Sequence, residues 1–171
     1  MGSRLLGRLA GITIFLVSFV AANAGHDLRG SINASAGTPA PPISEAAAKS
    51  AQADFPVIFA RMANSANATI QISVPQPRGT EQLVWVTPMG RHQAGFLGQI
   101  SSSNMLPEGP LAQGDVVRFE TPQVMDWHYA AADGTLYGNF AIRERLASLA
   151  PADAARVRLL LSETPFPQSW F

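Results

Sequence analysis

Apolar residues in this chain recur first at helical spacing, then alternate, then return to helical spacing. From Ser44, the positions Ala48, Ala51, Phe55, Ile58, Phe59 and Met62 fall at three- and four-residue steps, one apolar helix face. Pro56 interrupts that face, because a proline inside a helix removes a backbone hydrogen bond. The segment therefore reads as two short helices. Ser44 caps the first; Asp54 caps the second, with Pro56 in its first turn, and the run ends within "ANSAN".

After that the period shortens to two. "ATIQISV" alternates Ile70, Ile72 and Val74 against Thr69, Gln71 and Ser73, the pattern of a half-buried strand. "PQPRGTE" reads as a loop. "QLVWVTPMG" is a second strand, with Leu83, Trp85 and Thr87 on one side and Val84 and Val86 on the other. "RHQAGFLGQI" follows as a third strand after a turn near Gly90. "SSSNMLPEGPLAQGD" is a long polar connection whose Gly-Asp turns into the strand "VVRFE".

The stretch "VMDWHYAAADGTLYGNF", residues 124 to 140, puts an acid, an indole, an imidazole and a phenol side by side. Read as a strand, it sets Val124, Asp126 and His128 on one face and Met125, Trp127 and Tyr129 on the other. The second face suits a core. Asp126 and His128 are then expected toward solvent or a neighbouring loop. "DGT" signals a tight turn, because Asp-Gly accepts positive backbone angles, and "LYGNF" returns as the partner strand.

The last part is helical. "FAIRERLASLA" lines up Ile142, Leu146 and Leu149, leaving Arg143 and Arg145 outward. Pro151 opens a further helix with Val157, Leu160 and Leu161 as its buried stripe. Two prolines and an exposed aromatic tail close the sequence. Helices, then antiparallel strands, then helices predict an α+β fold: a curved antiparallel sheet of five or six strands with N-terminal and C-terminal helices packed on it.

The first residues change the setting rather than the fold. Arg4 and Arg8 precede the uncharged run "LAGITIFLVSFVAA", and "ANA" at 22–24 supplies small residues for signal peptidase. The run is short for a bilayer span, which needs roughly 20 residues. Residues 1–24 therefore read as a cleaved signal peptide and place the protein as secreted or periplasmic. Membrane contact is then expected only through that segment before cleavage. Residues 25–43, "GHDLRGSINASAGTPAPPI", lack any period and read as a flexible leader. A single domain over 44–166 and a tail over 167–171 complete the organisation. The "NAS" and "NAT" triplets are too short to weigh as glycosylation sites in this setting.

Loss of Arg4 and Arg8 leaves ten basic residues against twelve acidic, a formal charge of −2. That balance excludes the basic footprint of a nucleic-acid binder. The lone lysine, Lys49, cannot form a polybasic membrane patch. Zero cysteines exclude a disulfide framework, a thiolate nucleophile and a cysteine metal site. Stability must come from an ordinary core, and a chain near 150 residues buries about 68–70% of its unfolded surface.

"GDVVRFETPQVMDWHYAAADGTLYGNFAIRERL" resembles the core of the YegJ-like family, domain-of-unknown-function family 2314. The likeness rests on Gly114-Asp115, Asp126-Trp127, and Gly138, Phe140 and Arg143 before a helix, and spans about residues 45 to 146. It departs where similar proteins often carry Glu-His before the strand tryptophan, here Gln82 and Leu83, and where a threonine usually follows the aromatic, here Ala141. The resemblance implies the fold and marks Asp126, Trp127, Gly138 and Arg143 as motif positions. It implies no activity; no cofactor is expected from the residues.

Three function classes remain. The first is a non-catalytic envelope domain that binds a small ligand or protein partner through the concave side of its sheet. The second is a small hydrolase or metal-dependent enzyme. Its carboxylate, Asp126, would orient His128 as base toward a nucleophile among Ser101, Ser102 and Ser103, but no Gly-x-Ser-x-Gly elbow exposes a serine. The spacings of His26, His92 and His128 match no zinc pattern. The third is a purely structural or stress-related envelope protein. The residues favour the first class, with Asp126 making local hydrogen bonds to turn amides or pairing with Arg143 across the hairpin.

Overall fold

The computed structural model describes residues 42–76, 79, 81–101 and 111–171. The expected signal peptide and nearly all of the expected leader lie outside that set, as do His26, Arg78, Ser102 and Ser103. The described residues form one open antiparallel sheet of six strands with four α-helices, the α+β architecture the sequence predicts.

Helices α1 (Glu45–Gln52) and α2 (Phe55–Met62) come first. The Ser44 hydroxyl accepts the Ala47 amide at 3.0 Å, as a serine N-cap should. Pro56 occupies the first turn of α2. Asp54 stands at the N-cap position but makes no side-chain cap bond, because its backbone adopts a left-handed conformation (φ 54°). Phe55, Ile58, Phe59 and Met62 are fully buried, each burial stabilising by about 1.5–3 kcal/mol. Phe55 meets Phe96 edge-on at 5.1 Å and Phe59 meets Phe96 at 4.6 Å, with Phe119 closing the cluster.

The strands are β1 (Ala68–Pro75), β2 (Glu81–His92), β3 (Gly95–Ile100), β4 (Val116–Phe119), β5 (Val124–Ala130) and β6 (Leu136–Gly138), in the order β4-β3-β2-β1-β5-β6. Ile70 pairs with Val86 on one side and Trp127 on the other, so these three share the helix-covered core face. Pro88 lies past the β1 pairing, beside a register shift against β3, where its missing N–H costs no ladder bond to β1.

Three expectations about the strands need correction. The half-buried reading of β1 fails: Thr69, Gln71 and Ser73 are buried at 6–9% exposure, flanked on the neighbouring strands by His128, Trp85 and Leu83. The β2–β3 turn falls at Gln93–Ala94, with Gln93 left-handed (φ 51°), rather than near Gly90. The strict alternation assigned to β5 is also broken. A register shift opposite Gln71 and Ile72 puts Val124 on the core side with Trp127, since two residues, Met125 and Asp126, fill one step of the pleat.

The C-terminal helices are α3 (Phe140–Arg145), continued by a 3₁₀ turn at Leu146–Ser148, and α4 (Pro151–Leu160). The buried positions of α4 are Ala154 and Val157, whereas Leu160 and Leu161 are only half-buried. The returning strand ends at Gly138, so Asn139 and Phe140 belong to the helix start and not to β6. The tail is not a free aromatic end: Trp170 stacks on Trp127 at 6.4 Å and leans on Tyr129 at 5.1 Å. Phe171 remains 63% exposed.

Candidate functional site

Asp126 and His128 are both buried, at 0% and 5% exposure, which overturns the expectation that they face solvent or a loop. The β5 bulge explains the acid. It turns Asp126 toward the start of α3, where Oδ1 accepts the Trp127 amide at 2.8 Å and the Phe140 amide at 3.0 Å. Oδ2 accepts the Ala141 amide at 3.3 Å. The first two amides of α3 thus find a cap delivered by a strand.

The residue at the cap position cannot do this. Asn139 is left-handed (φ 58°), and its side-chain amide donates to the Tyr137 carbonyl at 3.0 Å. A carboxylate aimed at the exposed N–H groups also complements the positive end of the helix dipole. Asp126 therefore makes the local hydrogen bonds expected of it.

Arg143, expected outward, points inward. Nε donates to the Gly138 carbonyl at 2.6 Å, Nη1 to the Ser162 carbonyl at 2.9 Å, and Nη2 to the Ser162 hydroxyl at 2.9 Å and the Thr164 carbonyl at 3.4 Å. Burial lowers its pKa, while the negative charge of Asp126 acts in the opposite direction; a guanidinium so placed stays protonated. Asp126 and Arg143 are therefore coupled electrostatically, each with its own set of backbone partners.

Gly138 completes the knot. Its φ is +73°, and a Cβ there would collide with the Trp127 carbonyl oxygen and come within 2.5 Å of Trp127 Cε3. Only glycine lets the strand lie on the indole. The indole itself donates from Nε1 to the Ala51 carbonyl at 3.1 Å, tying β5 to α1.

His128 sits on the other side of the sheet. The Thr69 hydroxyl is 3.0 Å from Nδ1, and the Trp85 ring lies 5.7 Å away at a 48° tilt. Ser101, the described member of the serine trio, donates its hydroxyl to the Trp85 carbonyl at 3.1 Å. His92 stands at the exposed end of β2, beside the Gln93 turn. Among the described residues no group of three His, Cys, Asp or Glu side chains could hold a metal.

The sheet face needed for binding across β1, β2 and β5 is not open, since Thr69, Gln71, Ser73, Trp85 and His128 are all buried. A shallow depression of about 210 Å³ lies between α1 and α3, lined by Ala46, Ala47, Ser50, Phe140, Arg143 and Glu144. It holds neither Asp126 nor His128.

Sequence reasoning singled out Asp126, Trp127, Gly138 and Arg143, and the structure joins all four at the β5–β6–α3 junction. His128 pairs through its backbone with Gly138, but its side chain faces the opposite side of the sheet, toward Thr69 and Trp85. Ser162 and Thr164 escaped notice, and Thr69 was read only as part of a polar strand face, because a hydroxyl or carbonyl partner leaves no periodic trace in a sequence. The chain matches no protein-family model, no curated protein and no solved structure.

Proposed function

We propose that this chain is an exported, non-catalytic envelope domain that binds a protein or small-molecule partner. One observation carries the non-catalytic part: the best candidate acid, Asp126, holds three backbone amides on its two oxygens. A general base needs a lone pair directed at a substrate proton, and these are directed at a helix start. The export part rests on the positively charged start, the apolar run and the Ala-Asn-Ala site.

The likeness to the YegJ-like family belongs to the same proposal. The positions that carry it, Asp126, Trp127, Gly138, Phe140 and Arg143, fasten the hairpin to α3, which suits a motif kept for architecture. The competing enzyme reading relies on His128, whose imidazole faces Thr69 and Trp85 and not Asp126's amide cluster.

Export is tested by expressing the full chain in a bacterial host and determining the N-terminus of the accumulated protein by mass spectrometry. Gly25 is expected, and retention of Met1 would count against it. Catalysis is tested by screening the protein and its His128→Gln variant against ester, amide and phosphoester substrates. No turnover dependent on His128 is expected. Activity lost in a variant that keeps its circular dichroism spectrum would restore the enzyme reading.

A further inference from the structure

After α4 the chain runs along the outer edge of β6, the last strand of the sheet. Leu161 forms a parallel bridge with Leu136, the Ser162 amide donates to the Leu136 carbonyl at 3.0 Å, and the Gly138 amide donates to the Pro165 carbonyl. Arg143 grips the same stretch through Ser162 and Thr164. Trp170 then lies against Trp127 and Tyr129, and Arg61 donates to its carbonyl at 3.2 Å. Backbone pairing on an edge strand, a guanidinium on carbonyls and a niche for one ring are the parts of a site that recognises an extended peptide by strand addition.

Host and occupant differ in quality. Leu136, Gly138 and Trp127 are buried, whereas every residue from Leu161 to Phe171 is half-buried or exposed. A segment with no fully buried side chain, held by edge pairing, Arg143 and the half-buried rings of Phe166 and Trp170, opens more readily than the core beneath it.

We propose that the β6 edge, Arg143 and the Trp127–Tyr129 wall form a peptide-binding groove filled in cis by residues 161–171, which an extended tryptophan-bearing segment of a partner protein displaces. The occupant's chemistry is read from the tail itself: free backbone groups for Leu136 and Gly138, carbonyls for Arg143, and an indole to stack on Trp127. This rests on the binding-domain reading and names its partner class.

Two measurements on the full chain test it. The first is hydrogen exchange. The Ser162 and Gly138 amides are expected to exchange on the order of 100-fold faster than β1 amides, through local opening. Equal rates would mean that the tail leaves only on global unfolding, and would overturn the proposal. The second uses a labelled synthetic peptide of sequence LSETPFPQSWF. It is expected to bind the Trp170→Ala chain at least about ten-fold more tightly than the parent, whose own tail competes, and a peptide with alanine for tryptophan is expected not to bind. Equal or absent binding would overturn it, as would a concentration-dependent dimer of the parent in which tails occupy only each other's grooves. Should Trp170→Ala not fold, Ser162→Ala removes from the tail alone the hydroxyl that accepts from Arg143, and is expected to tighten binding of the unaltered peptide several-fold. Both measurements read opening and binding, so they fail independently of the export and turnover tests.

Discussion

The Asp126 carboxylate accepts the Phe140 amide at 3.0 Å, so a helix is capped by a residue of the strand before the hairpin rather than by its own N-cap. Because Oδ1 and Oδ2 also take the Trp127 and Ala141 amides, one side chain fixes the bulge in β5 and the direction of α3 together. Removing it leaves buried donors without acceptors, the costly form of hydrogen-bond loss. Asp126→Ala is expected to destabilise the fold by about 2–4 kcal/mol and Asp126→Asn by about 1–2 kcal/mol. Urea unfolding followed by tryptophan fluorescence checks this, and unchanged midpoints would mean that the cap is not structural.

Gly138 offers a sharper test. Its left-handed backbone and its contact with Trp127 both exclude a side chain. Gly138→Ala is expected to cost more than about 3 kcal/mol, strain and overpacking acting together. The readout is a large fall in thermal midpoint or loss of soluble protein. A near-parental midpoint would show that the hairpin can lift off the indole.

Arg143 tests the clasp. Lysine keeps the charge but not the fork, and it cannot reach the carbonyls of Gly138, Ser162 and Thr164 at once. Arg143→Lys is expected to cost about 1–2 kcal/mol and to speed amide exchange in residues 161–171 more than in β1. Uniform acceleration across the sheet would assign Arg143 to the core rather than to the tail.

Asp133 carries a pH dependence. It accepts the Thr135 amide at 2.9 Å in the hairpin turn, and that bond with the Thr135 side chain holds its pKa below the ordinary aspartate value. A carboxyl depressed in the folded state contributes stability that is fully present above its unfolded pKa and is lost as pH falls through its folded one. Local protection of the turn is therefore expected to persist at neutral pH and weaken only in acid, below the usual aspartate range. An NMR titration of Asp133 should show the low midpoint. Thr135→Ala should raise it; an unmoved midpoint would sink the assignment.

Much of the architecture was legible in the residues. Ser44, Pro56 and Pro151 mark helix starts by local chemistry alone, and Asp133-Gly134 marks the hairpin turn. Ile70, Ile72, Val84 and Val86 identify the core face through period-two spacing, because pairing partners share a face. The motif positions Asp126, Trp127, Gly138 and Arg143 were also visible, and their meeting at one junction followed from the hairpin.

Other features depended on the fold. The β5 bulge inverts the expected placement of Val124, because whether two residues fill one pleat is set by the partner strand and by the α3 amides that draw Asp126 in. The burial of Thr69, Gln71 and Ser73 depends on the larger side chains that flank them in β2 and β5, which no stretch of eight residues encodes. Arg143 reads as outward on its helix or paired with Asp126, and Trp170 as part of an exposed aromatic tail, when each is seen only beside its neighbours in sequence. Their partners, Ser162 and Thr164 for one and Trp127 and Tyr129 for the other, lie far along the chain. By itself the sequence determined where helices and strands form and which rings want burial, since these follow from short-range geometry and solvation. Only the tertiary structure decided which polar groups join them inside, because that is settled by long-range partners able to satisfy each hydrogen bond.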